Sequence, residues 1–144
     1  MQRGKFNHHP MIRDYGRTPF IFNIRHAAER NTNFRTTVWT GQTLQLTLMS
    51  IPVHGDIGEE MHGDVDQFIR IESGKAKVYM GNCQGNLVEK ATLGGNDAIL
   101  IPAGTWHNIV NIGTRPLKLY SLYAPPNHPA GTVHKTKKEA EAAH

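Results

Sequence analysis

Four side chains in this sequence carry metal-binding donors at spacings that a β-rich chain can bring together: Glu60, His62, Gln67 and His107. Glu60 and His62 are two apart, so on an extended segment both point to the same face. Gln67 opens the next extended run after Gly63-Asp64-Val65-Asp66, a stretch suited to a turn. If Gln67 faces inward, Ile69 and Ile71 follow it, while Arg70 and Glu72 face away. His107 comes after Pro102-Ala103-Gly104-Thr105-Trp106 and would arrive from a distant strand. Imidazole nitrogens with carboxylate and amide oxygens make a mixed N/O set that suits first-row divalent ions. Spacing alone is moderately specific, because E-x-H pairs arise by chance and a single His is more often a hydrogen-bonded structural residue.

The elements that must position these residues read as strands. Phe20 to Ile24 is a short apolar run after Pro19, an expected edge strand. Residues 25–36 are polar and suit a short helical turn or a loop. Thr36 to Trp39 and Leu44 to Ile51 flank Gly41 as a hairpin, and the second run alternates apolar and polar residues as a half-buried strand does. Gln67 to Glu72 and Lys75 to Met80 form a second hairpin about Ser73-Gly74. Asn86 to Ala91, Ala98 to Ile101, Trp106 to Asn111 and Leu117 to Tyr123 complete about eight to ten short strands, the pattern of a sandwich, jelly roll or small barrel. Only Lys135 to His144, with Lys, Glu and Ala and no Gly or Pro, predicts a helix. The expected organisation is a flexible arm over 1–18, one barrel domain over 19–126, and a tail over 127–144 with the short helix.

Composition agrees and excludes several classes. The chain has 144 residues, enough for one core, with 38% hydrophobic and 19% charged residues, well clear of disorder. Val, Ile and Thr number 30, which favours strands. A single Cys83 cannot make an internal disulfide, so a secreted, stapled scaffold is not expected. No apolar run approaches the roughly 20 residues of a membrane helix, and the polar N-terminus lacks the apolar core of a secretory signal. A reducing, cytoplasmic setting is therefore expected. The net charge of +4 comes from 16 basic and 12 acidic residues. Seven of the basic residues precede Thr36, without the interleaved aromatics or binding helix that nucleic-acid recognition needs.

Around the four donors lie two spaced patterns, Gly55-x4-Glu60-x-His62-x4-Gln67-x6-Gly74 and Gly95-x6-Pro102-x-Gly104-x2-His107-x3-Asn111. Together they resemble the two motifs of the cupin superfamily over residues 55–111. The second has one extra residue after its first Gly. The resemblance implies an all-β fold: an antiparallel double-stranded β-helix, or jelly-roll barrel, holding one divalent metal ion. By position, His62 and His107 match the family's second and third histidines. Glu60 stands where the first His usually is, and Gln67 where the Glu usually is. The set resembles that of phosphomannose isomerases with carboxylate and amide exchanged. Two imidazoles and Glu60 would make a facial triad with open positions, suited to iron(II), and equally able to hold Mn²⁺, Ni²⁺, Co²⁺ or Zn²⁺. One carboxylate leaves the bound ion a local charge near +1, which favours an anionic or chelating oxygen ligand. The alternative is a degenerate cupin whose barrel is simply packed.

If Leu119 faces inward, Ser121 and Tyr123 line the barrel mouth, and Tyr123 becomes a candidate acid/base; packing with a satisfied hydroxyl is the competing role. Trp106 points away from His107. His54 precedes the first motif, where it would either guard the entrance or, as a loop His more often is, be solvated; His8, His9, His26, His128, His134 and His144 lie in arms and loops and are read as non-ligands. Cys83 lies in a turn without a His nearby in sequence, which argues against thiol chemistry. No inward Lys or second carboxylate is evident as a base. Three functions follow: a metal-dependent isomerase, epimerase or lyase on a sugar or hydroxy/keto acid, an iron-dependent dioxygenase, or a module that binds a small ligand without turnover. The expected partners are a small molecule and a second copy of the chain, through residues 19–24 and the Trp39 hairpin, with no nucleic acid and no membrane.

Overall fold

The computed structural model describes residues 13–143. Among the described residues, runs rich in β-branched and aromatic residues form nine strands, each paired antiparallel: β1 (Arg35–Thr40), β2 (Gln45–Ile51), β3 (Asp66–Ser73), β4 (Ala76–Gly81), β5 (Val88–Leu93), β6 (Ala98–Ile101), β7 (Trp106–Asn111), β8 (Leu117–Ala124) and β9 (Val133–His134). They make a six-stranded sheet, ordered β6-β3-β8-β2-β1-β9, and a three-stranded sheet, β5-β4-β7. Two short helices, α1 (Ile24–Arg30) and α2 (Lys137–Ala142), flank them. The expected all-β double-sheet jelly roll is borne out.

Residues 55–60 extend the smaller sheet along β7. Asn111 N donates to Gly55 O, and Ile57 N donates to Ile109 O. Glu60 and His107 exchange a reciprocal pair, Glu60 N to His107 O at 3.0 Å and His107 N to Glu60 O at 2.9 Å. Asn111, which ends the second motif, is buried: its amide nitrogen donates to Ile51 O and Arg115 O, and its oxygen accepts from Gly113 N. Gly74 turns β3 into β4 at φ +104°, and a Cβ there would stand 3.1 Å from Leu117 Cα, so both conformation and space require glycine.

Alternation along the strands divides the interior in two. On β8, Leu117 and Leu119 are followed inward by Ser121 and Tyr123, and on β2 they face Ile51, Met49, Thr47 and Gln45 in register. On β3, Ile71 and Ile69 are followed by Gln67. One end of the barrel is therefore filled by aliphatic side chains, joined by Ile57, Ile109 and Phe34. The other end is buried but polar.

The outer face of the large sheet is covered as well. Val38, Leu46 and Leu48 pack against Ala27 and Ala28 of α1 and against Phe20, Phe22 and Ile24. Phe20–Ile24 is thus not the expected edge strand. Its apolar side chains cover an apolar sheet face, and Asn23 caps α1 by accepting from His26 N. For the same reason β2 is not half-buried: Gln45, Thr47, Leu46 and Leu48 are all buried. The tail helix is shorter than expected, Lys137–Ala142, and the Lys137 ammonium pairs with Asp56. Among the described residues, no helix is long and apolar enough to cross a membrane.

Of the arm expected over 1–18, residues 1–12 lie outside the described residues, and 13–18 run irregularly but are hydrogen-bonded to the sheet. Tyr15 N donates to Val38 O, and Trp39 Nε1 donates to Thr18 O. In the segments expected to meet a second chain, Phe20, Phe22, Ile24 and Trp39 pack against this chain's own sheet, while Ile21 is exposed. Asp14 accepts from Gly16 N and Thr40 N through Oδ1, and from the Thr40 hydroxyl and Gly131 N through Oδ2. Burial opposes ionisation of Asp14, but these bonds outweigh it and hold the carboxyl below its ordinary value of 3.8. Asp14→Ala is expected to lower stability at neutral pH by about 2–3 kcal/mol in urea titrations. The folded pKa is the lower one, so this contribution is present above about pH 4 and fades as pH falls, and the two proteins should converge in acid.

Candidate metal centre

The reciprocal backbone pair between Glu60 and His107 places their side chains on the same side of the joined segments. His107, on β7, is fully buried, and its Nδ1 lies 3.0 Å from Thr105 O. A carbonyl can only accept, so Nδ1 carries the proton and Nε2 is left to the interior. That Nε2 stands 3.3 Å from Glu60 Oε1, and His62 Nε2 stands 3.5 Å from the same oxygen. Gly104, at φ +86°, donates its N–H to His62 O at 2.8 Å and thereby ties the Pro102–Gly104 turn to the segment bearing His62. Asp66 Oδ1 accepts from Ala103 N and holds the same turn from the other side.

The donor atoms of Glu60, His62 and His107 all lie within 4.8 Å of one another. Ligands about 2.1 Å from one ion sit roughly 3–4 Å apart, and both separations fall in that range. The electrostatics also fit. With Nδ1 engaged by Thr105 O, the His107 ring turns only Nε2 toward the Glu60 carboxylate. Burial would raise the Glu60 carboxyl, but the facing imidazoles of His107 and His62 bring it down to about 2, so it is ionised at neutral pH. His62 Nε2 is buried and makes no hydrogen bond.

Gln67 lies beside this group. It pairs in register with Tyr123, whose ring meets the His62 ring edge-on at 5.8 Å. The Gln67 amide nitrogen donates to Ser121 Oγ at 2.9 Å, leaving a buried Oε1 without a partner, an oxygen free to serve as a neutral ligand. The three donors Glu60, His62 and His107 therefore fit a divalent ion.

Tyr123 faces inward and is 1% exposed. Burial and the Glu60 charge push its hydroxyl up to about 12, against the opposing charge of Arg35. His128, expected to be a non-ligand, is drawn into the interior beside Tyr123. Gln45 holds its backbone from both sides, through bonds to His128 N and O, and its ring meets Tyr123 edge-on at 5.2 Å. Burial, with Arg35 adding to it, pushes the His128 imidazole down to about 3. His134 is likewise buried, at 8% exposure, beside Arg35. Neither His belongs to the Glu60–His62–His107 group. Sequence reasoning missed Arg35, Thr37 and Thr47 as interior residues. The available signal was the polar half of the β2 alternation, Gln45 and Thr47, which belongs to the barrel and not to solvent.

The family profile described as "Cupin domain" matches residues 47–123. The uncharacterized protein YrkC of Bacillus subtilis (strain 168) is 53% identical over 133 residues, covering 92% of this chain and 72% of that protein. The uncharacterized protein L612 of Acanthamoeba polyphaga mimivirus is 41% identical over 115 residues, covering 79% and 70%. The crystal structure of BH2720 from Bacillus halodurans superimposes with a TM-score of 0.89 at 55% identity, covering 91% of this chain and 99% of that one.

Replacing His107 or His62 by Ala should reduce metal retained after loading and desalting from near one equivalent to near none by elemental mass spectrometry. Undiminished metal in both variants would remove the ligand assignment.

Proposed function

The chain belongs to the cupin family, and on that premise we propose that it is a metal-dependent enzyme acting on a small oxygen-rich substrate, a sugar or a hydroxy or keto acid, by isomerase-, epimerase- or lyase-type chemistry. The observation that carries this reading is the convergence of Glu60, His62 and His107 at the polar end of a barrel whose other end is packed with aliphatic side chains. A divalent ion held by these three, with the Gln67 oxygen beside them, would supply Lewis-acid polarisation of a substrate carbonyl or hydroxyl.

The chain's own residues then orient and exclude. Thr105 fixes the His107 ring through Nδ1, so that Nε2 alone faces the site. Ser121 fixes the Gln67 amide, so that its oxygen faces inward. Tyr123, protonated at neutral pH, serves as a hydrogen-bond donor to a substrate oxygen and not as a base. The aliphatic layer closes the far end against water.

One observation favours a second reading, an iron-dependent dioxygenase. Tyr123 is moved up to about 12 and His128 down to about 3, so neither of these interior groups is matched to proton transfer near pH 7. Oxygen chemistry places less demand on a tuned base.

The test is NMR-monitored incubation of metal-loaded protein with sugars and hydroxy or keto acids, with and without O₂. Turnover that persists anaerobically is the expected result. Turnover that strictly requires O₂ and iron would replace it with the second reading. Saturable binding without turnover in either atmosphere would reduce the protein to a ligand-binding cupin. Tyr123→Phe should keep metal content and lower kcat by about tenfold or more, the scale of one lost transition-state hydrogen bond.

A further inference from the structure

Five buried side-chain atoms lack hydrogen-bond partners among the described residues: Arg35 Nε, Thr37 Oγ1, Thr47 Oγ1, His62 Nε2 and Gln67 Oε1. Buried polar atoms are ordinarily paired, because leaving one unmade costs the full desolvation of that group. A ligand held between the triad and Gln67 would satisfy the last two. The first three need a different occupant.

Arg35, Thr37 and Thr47 share the barrel-facing side of adjacent strands, since Thr37 pairs in register with Thr47 and Arg35 lies two residues from Thr37 on the same face. They are 4%, 0% and 0% exposed. Arg35 Nη1 lies 3.1 Å from His134 Nδ1, and because guanidinium only donates, His134 Nδ1 is the acceptor. No carboxylate is within ion-pair distance of Arg35 among the described residues, although Arg35, Glu59, Glu60 and Glu141 line one cleft of about 190 Å³. The other cation there, Lys137, is already paired with Asp56. A buried guanidinium without a carboxylate partner, which lines a cleft that also reaches Glu60 and shares its strand face with the Thr37 hydroxyl and with Thr47 beside Tyr123, is a site for an anion with several acceptor oxygens.

We propose that Arg35, Thr37 and Thr47 bind the carboxylate of the ligand, whose second oxygen lies toward the Glu60–His62–His107 group, so that the ligand is a small hydroxy or keto acid and not a neutral sugar. A carboxylate supplies acceptors for the guanidinium Nε–H and for both hydroxyls. The inference rests on the metal-centre reading only for the position of the second oxygen.

The experiment is calorimetric titration of Mn²⁺-loaded protein with lactate and with lactamide, which has the same shape without the charge, alongside elemental analysis of the same samples. Lactate should bind at least about tenfold more tightly than lactamide, the scale of one charge-assisted contact. Arg35→Gln should erase that preference while leaving metal content unchanged. Thr37→Val, which leaves the guanidinium in place, should weaken lactate several-fold and lactamide little. Equal binding of the two ligands, no binding of either, or a preference that survives in Arg35→Gln would overturn the proposal. If melting curves show that Arg35→Gln does not fold, the wild-type comparison and Thr37→Val decide, and unchanged lactate affinity in Thr37→Val is then fatal. Metal absent from the loaded wild type would sink the metal-centre reading alone; a lactate preference that persisted would still support the carboxylate on Arg35. Metal present without the preference would sink the carboxylate site alone.

Discussion

The two backbone hydrogen bonds exchanged by Glu60 and His107 are the constraint on which the site depends. They join a segment too irregular to be a regular strand to the edge of the smaller sheet, and they fix the relative height of two side chains 47 residues apart. Once that register is set, His62 follows by alternation and Gly104 can close on its carbonyl. A slip of one residue would turn Glu60 and His62 to the opposite face together. Backbone pairing, which is indifferent to side-chain chemistry, thus decides whether the chemistry exists.

The interior is organised around the same axis. Moving along β8 from Leu117 to Tyr123, the inward side chains pass from aliphatic to hydroxyl, and β2 makes the same passage in register. The aliphatic end supplies the burial that stabilises the barrel, about 25 cal/mol per Å² of apolar area removed from water. That stability offsets a polar end in which several groups go without partners. Functional sites are where such unsatisfied groups collect.

Much of this was legible in the sequence. The two spaced motifs located all four candidate donors and the turn glycines, because motif spacing records strand register directly. The strand count and the antiparallel architecture followed from Val, Ile and Thr content and from the turns. What was not legible depended on which face of a strand is inside. The run Leu44 to Ile51 alternates, and alternation alone names two faces without saying that both are buried. Only the packing of Phe20, Phe22 and α1 on the Leu46–Leu48 face reveals that Thr47 and Gln45 are interior. Arg35 was hidden for the same reason, as one basic residue among seven near the N-terminus. His128 was hidden because a loop residue gives no sign, before folding, that Gln45 will draw it in.

The cover on the outer face of the large sheet also sets a hierarchy of opening. Strands β2 and β8 are central, paired on both sides, and shielded on both faces, so their amides can exchange with solvent only when the whole domain comes apart. Residues 55–62 hang on β7 by a handful of backbone bonds and carry Glu60 and His62 outward with them when those bonds break. His107, Gln67 and Tyr123 stay with regular strands. Two of the three clustered donors thus sit on an irregular segment and one on a regular strand, so local opening of residues 55–62 would part them while the barrel stays folded.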